Sequence, residues 1–315
     1  MGLISFIYPK PDFIRNIGVK ILKTKKPVIS VVIPCYNSEK FIFDCLSSLF
    51  NQKFDYDYEL IVVDSSKDST PDIIRAKFPS VKLLHFNSKT LAGKARNIGV
   101  KAAKSSIIAF TDSDCIANPD WLKQAKEAIE GKYALVGGTV RNGTPFNLVG
   151  TADYLLGFNE FMQGTRKKEI NFMPTCNLIC KKEVFAKAGW FPEDLPSMEE
   201  IVFINKTKGK YKLLFEPKVI VYHINRTGFM QFLRHHYIFA KYSSSVRKQI
   251  KLPGSFLTRY PLLSLAAPFI RFFKIFFSIA GKNATDLFKF IIVSPLILIG
   301  LISWSVGFII ASFKK

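Results

Sequence analysis

Acidic side chains are scarce in this sequence: 24 Asp and Glu stand against 45 Lys and Arg, a net charge of +21 over 315 residues. A chain this basic implies an anionic partner, whether nucleic acid, acidic lipid headgroups or a phosphorylated substrate. Cysteine is sparse too, and the five thiols (Cys35, Cys45, Cys115, Cys176, Cys180) are odd in number and scattered. That argues against a disulfide framework and for reduced thiols in a cytosolic compartment. Cys176 and Cys180 have no second cysteine pair with which to bind zinc, and they read as buried, inert thiols. Charged residues make up only 22% of the chain, whereas 48% are hydrophobic and 30 are Phe, which excludes global disorder. No charged n-region precedes the short apolar start, so no secretory signal is expected. A Walker A lysine motif, a GxSxG elbow, internal repeats and low-complexity tracts are all missing.

One long run lacks charge altogether. Phe290–Phe313 holds 24 residues without a charged side chain, enough for a membrane span with some tilt. Ahead of it, residues 256–280 are apolar but carry Arg271 and Lys274, which suits either an embedded first span or an interfacial helix. Basic residues at Arg247–Lys251 and Lys314–Lys315 flank this region, and the positive-inside rule then puts both ends, and the preceding domain, on the cytoplasmic face. Residues 1–27 end in the cluster KILKTKK, which reads as a basic amphipathic leader or a solvated charged one. Lys20–Lys26 and Arg234–Lys251 would lie against an anionic leaflet, which accounts for the net charge and makes nucleic acid an unneeded partner.

Between these ends the pattern alternates. Apolar runs at Val28–Ile33, Glu59–Val63, Val81–His85 and Ile107–Phe110 read as buried strands, with helices expected at Lys40–Phe50, Asp72–Lys77 and Ala92–Ala103. Such alternation predicts an α/β fold with a doubly wound, mostly parallel sheet over residues 28–250, followed by membrane-associated helices over 251–315. Further along, a strand is expected at Ala134–Val136, a helix at Phe146–Met162, a return to the sheet at Asn171–Lys181, a strand at Lys212–Tyr222 and a helix at Thr227–Lys251. Ligands of these sheets bind at the carboxyl ends of strands. The loop Pro34–Glu39, Asp64 and the DSD of Asp112–Asp114 all sit at such ends, so one cleft is expected to collect them. Two carboxylates one residue apart on a loop can turn toward a hard cation, Mn²⁺ or Mg²⁺, that also holds phosphate oxygens.

Three segments, SVVIPCYNSEKFIFDCLSSLFNQ, YELIVVDSSKDST and LAGKARNIGVKAAKSSIIAFTDSDCIANPDWL, occur in order and together resemble the family 2 glycosyltransferases of the GT-A fold. The resemblance covers about residues 28–225. It implies transfer of a sugar from a nucleotide-diphosphate donor, a UDP-sugar in preference to a GDP-sugar. It implies donor contacts from Pro34, Tyr36, Glu39, Asp64 (at the base), Arg96 and Asp112, and a metal motif in Asp112 and Asp114 with His223 as a further contact. Ser65 departs from the pattern, since the family often has a second acidic residue there. Inverting transfer needs a base for the acceptor hydroxyl. Glu200 falls where the family has its catalytic aspartate, after FAKAGWFPE, with Asp194 as the neighbouring alternative and helix initiation as the plain role of Glu199 and Glu200. The expected acceptor is membrane-proximal, a lipid-linked sugar or an envelope glycan precursor. A nucleotidyltransferase calls for Gly and Lys in the first loop, which Pro34–Glu39 lacks; a non-catalytic membrane scaffold is the alternative that Ser65 and Glu200 leave open.

Overall fold

The computed structural model describes residues 26–314, so the leader expected at 1–27 lies, apart from its last two residues, outside the described residues. The first half runs β1 (Ile29–Cys35), α1 (Ile42–Phe50), β2 (Tyr58–Asp64), α2 (Thr70–Lys77), β3 (Lys82–His85), α3 (Ala92–Ala102), β4 (Ile107–Phe110), β5 (Cys115–Ala117) and α4 (Trp121–Ile129). The second half adds β6 (Leu135–Asn142), α5 (Leu148–Phe158), β7 (Lys168–Ile170), β8 (Leu178–Lys181), α6 (Glu183–Ala188), α7 (Glu199–Thr207) and β9 (Leu213–His223). Three helices close the chain: α8 (Phe229–Gln249), α9 (Ala267–Ala280) and α10 (Ala284–Phe313).

The strands form one sheet in the order β3-β2-β1-β4-β8-β6-β9-β5, with β7 on the flank of β9. The first four are parallel, as expected of β-branched runs buried on both faces and joined by helical crossovers. Register places Cys35 beside Asp64 and Asp64 beside His85, so the carboxyl ends of β1, β2 and β3 are level. Beyond β4 the sheet turns mixed: β8 is antiparallel to β4 and β6, while β9 is parallel to β6 and antiparallel to β5. All five cysteines are buried and free, Cys176 and Cys180 among them.

Differences from the sequence reading have local causes. The strand expected at Ala134–Val136 continues to Asn142, straight through Gly137 and Gly138. A Cβ at Gly138 would stand 2.0 Å from the Val219 carbonyl oxygen, and the ladder shifts register just after it, so glycine here marks close approach and a bulge rather than an end. The helix expected at Phe146–Met162 is shorter, starting from the cap Asn147, whose side chain accepts the Gly150 N–H. Within Asn171–Lys181 only β8 is strand, preceded by a 3-10 turn over Thr175–Asn177. The segment 256–280 is broken into 3-10 turns at Ser255–Thr258 and Pro261–Leu265 before α9, as prolines at 261 and 268 dictate.

Helix α10 begins at its Asn283 cap, ahead of the expected Phe290, and is the one described helix long and apolar enough to cross a membrane. Pro295 frees the Ile291 carbonyl, which accepts the Ser294 hydroxyl at 2.8 Å instead. One side of α10 is buried against the protein: Phe290, Val293, Ile297 and Leu301 join the same apolar core as the sheet. Gly300 and Gly307 let it approach α8, with the Phe232 ring and the Tyr237 carbonyl where side chains would be. The opposite side, with Ile292, Ile302, Val306 and Ile310, is exposed.

Candidate active site

Three loops meet at the carboxyl edge of the sheet. The loop after β1 is tied to the DSD loop by the Ser38 and Ser113 hydroxyls, 2.8 Å apart. The DSD loop follows β4, whose partner is β1, and the Cys45 thiol donates to the Asp112 carbonyl. His223 arrives from the other half of the chain because β5 pairs with β9: Cys115 lies opposite His223, and the Ile224 N–H donates to the Asp114 carbonyl at 2.9 Å.

The imidazole is held in a definite orientation. Asn225 donates its side-chain N–H groups to the Asn142 and Thr144 side-chain oxygens and the His223 carbonyl, so its Oδ1 faces His223 Nδ1 at 3.0 Å. Nδ1 therefore carries a proton in that bond, and Nε2 is the nitrogen turned toward Asp114. Nε2 stands 3.7 Å from Asp114 Oδ1. Cys115 Sγ lies in the same group, all three ligand atoms within 4.8 Å of one another. Burial pushes the Cys115 thiol well up, so the hard carboxylate and the imidazole are the pair suited to Mn²⁺ or Mg²⁺.

Arg96 of α3 lies beneath this edge, buried. One terminal nitrogen donates to Asp112 Oδ1 at 2.8 Å and the other to Glu199 Oε1 at 2.6 Å. The two carboxylates outweigh its burial and hold the guanidinium firmly charged. Both terminal nitrogens are thus engaged within the protein, while Nε is buried with no partner. Helix α7 enters through Met198, held at φ +74°. α3 reaches it only because residue 93 is glycine, since a Cβ there would meet the Pro192 carbonyl at 2.1 Å. Glu200, one residue on, makes no ion pair among the described residues. Desolvation, then the neighbouring Glu199 carboxylate, pushes its pKa up to about 8. Arg96, Asp112, Glu199, Glu200 and His223 line one cavity of ≈ 380 Å³. Asp194 is exposed and lines neither this cavity nor the ≈ 1430 Å³ cleft that adjoins Asp114, Tyr222 and Arg226.

At the end of β2, Asp64 has no exposed surface. Its Oδ1 accepts the Ser66 N–H and hydroxyl, and its Oδ2 lies 2.6 Å from His85 Nδ1. The group that meets solvent at this level is His85, a residue the sequence reading missed, although it ends β3 in register with Asp64. Ser65, buried, accepts the Thr90 N–H and fixes the loop ahead of α3. Tyr36 is exposed beneath Lys89, whose ammonium sits 4.5 Å from the ring centre. Pro34 is half-buried in β1, and Glu39 accepts the Ser69 N–H at 3.3 Å. Asp64 is therefore joined to the β2–α2 loop and to β3, while Glu39, bonded to the same loop, lines the ≈ 1430 Å³ cleft together with Asp114.

The sequence matches the family model of Glycosyl transferase family 2 over residues 30–189, just over half of the chain. It is 31% identical over 204 residues to the glycosyltransferase AglE of Haloferax volcanii, covering 62% of this chain and 67% of that relative. The chain spans only 29% and 17% of two further curated relatives. Among solved structures, the mannosyltransferase PcManGT of Pyrobaculum calidifontis in complex with GDP-Man and Mn²⁺ aligns with a TM-score of 0.59 at 18% identity, over 97% of this chain and 94% of that one. Staphylococcus aureus TarS 1–349 in complex with UDP-GlcNAc aligns with a TM-score of 0.50 at 18% identity, over 89% and 90%. At these identities the structural likeness shows a shared fold.

Proposed function

The chain belongs to Glycosyl transferase family 2 and is a glycosyltransferase, and from that premise we propose that it transfers a sugar, with inversion, from a nucleotide-diphosphate donor to a membrane-proximal acceptor. A UDP-sugar is the favoured donor and a GDP-sugar the alternative; TarS and PcManGT hold one of each. The observation that carries the reading is the Arg96 clamp, which joins the DSD loop to α7 and leaves Glu200 unpaired in the same cavity.

In this reading Asp112, Asp114 and His223 would hold a Mn²⁺ or Mg²⁺ ion, which when bound neutralises charge on the departing nucleoside diphosphate. Arg96 holds Asp112 and Glu199 in place, a positioning role beneath the donor. Glu200 accepts the proton of the attacking hydroxyl, and a pKa raised toward neutrality suits a base that must take and later release a proton. Pro34, Tyr36 and Glu39 cradle the nucleotide from the β1 loop. Asp64 acts at the base through His85, which it orients.

The chain is anchored by its C-terminal region, residues 251–315, with the catalytic domain of residues 28–250 on the cytoplasmic face. The exposed apolar side of α10 supports this, as do the basic residues Arg247 and Lys248 at the end of α8. Replacing Asp114 and Glu200 separately and following transfer and hydrolysis of a panel of nucleotide sugars tests the reading. Full activity of both variants would refute it.

A further inference from the structure

The cavity that holds Glu200 has a second, basic wall on the side of the C-terminal helices. Arg226 and His236 share one carboxylate, Asp153 of α5, at 3.2 and 3.1 Å. Burial, with Arg226 beside it, drops His235 to a pKa of about 3, so that ring is neutral and offers hydrogen bonds without charge. Arg271 of α9 completes the wall. Among the described residues no carboxylate lies within ion-pair distance of it. Its guanidinium lies 4.9 Å from the centre of the Trp304 ring, and Trp304 itself carries a buried indole N–H that finds no acceptor. The charges that act on Arg271 are Arg247, which repels it, and Glu160, which Lys274 already holds at 2.8 Å. Among the described residues Arg226 and Arg271 thus have one carboxylate within ion-pair distance between them, Asp153, while Glu199 and Glu200 line another part of the same cavity.

A planar guanidinium stacked on an aromatic face, half-buried and without an anion, matches the fork geometry of a phosphate. Outside the cavity, α9 and the turn before it expose Leu265, Phe269, Ile270 and Phe273. An anion in the cavity therefore sits next to a surface that only hydrocarbon would cover well.

We propose that this wall is the acceptor subsite: Arg271, with Arg226, takes the phosphate of a lipid-borne acceptor whose hydrocarbon lies along the exposed face of α9. The proposal rests on the glycosyltransferase reading above and names the acceptor class for it.

Equilibrium binding of tritiated farnesyl phosphate to the full-length protein in detergent micelles tests this, with farnesol and inorganic phosphate as competitors. Saturable binding is expected, weakened about 10–100-fold in Arg271→Gln, the loss that goes with one charge-assisted hydrogen-bonded contact. Arg271→Lys keeps the charge without the fork and is expected to fall between. UDP affinity, measured by calorimetry, reports whether each variant is folded, and Arg226→Gln carries the same test if Arg271→Gln does not accumulate. Farnesol competing as well as farnesyl phosphate would overturn the phosphate subsite, as would unchanged affinity in both arginine variants. Equal competition by inorganic phosphate would assign the anion site to free phosphate and overturn the lipid source. Binding of farnesyl phosphate by a parent protein that turns over no nucleotide sugar would instead count against the glycosyltransferase reading.

Discussion

Arg96 binds Glu199 at 2.6 Å across 103 residues of sequence, and that ion pair gives two adjacent carboxylates different surroundings. Glu199 is fixed by Arg96, whereas Glu200, facing the same cavity without an ion pair among the described residues, is pushed up by desolvation and then by the neighbouring Glu199 carboxylate.

Glu199→Gln leaves Arg96 with only Asp112 as a charged partner in a buried position. Breaking a buried pair from one side costs about 3–5 kcal/mol, and the amide retains an acceptor, so the lower end of that range is expected. Chemical denaturation of the variant beside the parent measures it, and an unchanged midpoint would show the pair to be without structural weight.

The raised pKa of Glu200 has two pH signatures. Transfer is expected to climb with pH through about 8, because the base works only when ionised, and to climb at lower pH in Glu199→Gln, where one repelling charge is gone. Stability runs the other way. The folded carboxyl binds its proton more tightly than the unfolded one, so between the ordinary value of 4.5 and about 8 the folded state loses stability as pH rises. Glu200→Gln should flatten that fall in thermal melts, and an equal slope in both proteins would assign it to another group.

For the metal, His223→Ala and Asp114→Ala should each weaken Mn²⁺ binding in the presence of UDP, followed by the loss of the free-ion paramagnetic resonance signal. Asn225→Ala should act in the same direction more mildly, since it removes the bond that fixes the His223 tautomer. Full Mn²⁺ uptake by the Asp114 and His223 variants would exclude this pair as ligands.

A chain shortened to residue 251 would uncover Phe232, Ala240 and Leu156, which α10 and its neighbours bury. Such a protein is expected in the insoluble fraction. Recovery as a soluble monomer that binds UDP would mean that the catalytic half folds without the C-terminal helices.

The parallel half of the sheet and its site-bearing ends were legible in the sequence because each strand is a short apolar run closed by a polar residue: Asp64 and Thr111–Asp114 announce themselves this way. β5 was not, since three residues carry no period; the family resemblance alone put His223 with Asp114, and β5 supplies the pairing that brings it there. His85 closes β3 as plainly as Asp64 closes β2, but a lone histidine carried no weight until register put the two side by side. The Arg96–Glu199 pair and the basic wall around Arg271 join residues far apart in the chain. Spacing cannot show contacts of that kind; only the fold brings them together.

The most direct measurement compares Glu200→Gln with the parent for both transfer rate and UDP affinity. The substitution keeps the side chain's size and removes its capacity to accept a proton. Transfer should fall about 10²–10⁴-fold, the range for loss of a general base, while UDP affinity holds, because the base serves the acceptor and not the nucleotide. Undiminished transfer by Glu200→Gln, with turnover stopped by Asp194→Asn, would contradict the account and move the base to the exposed loop ahead of α7.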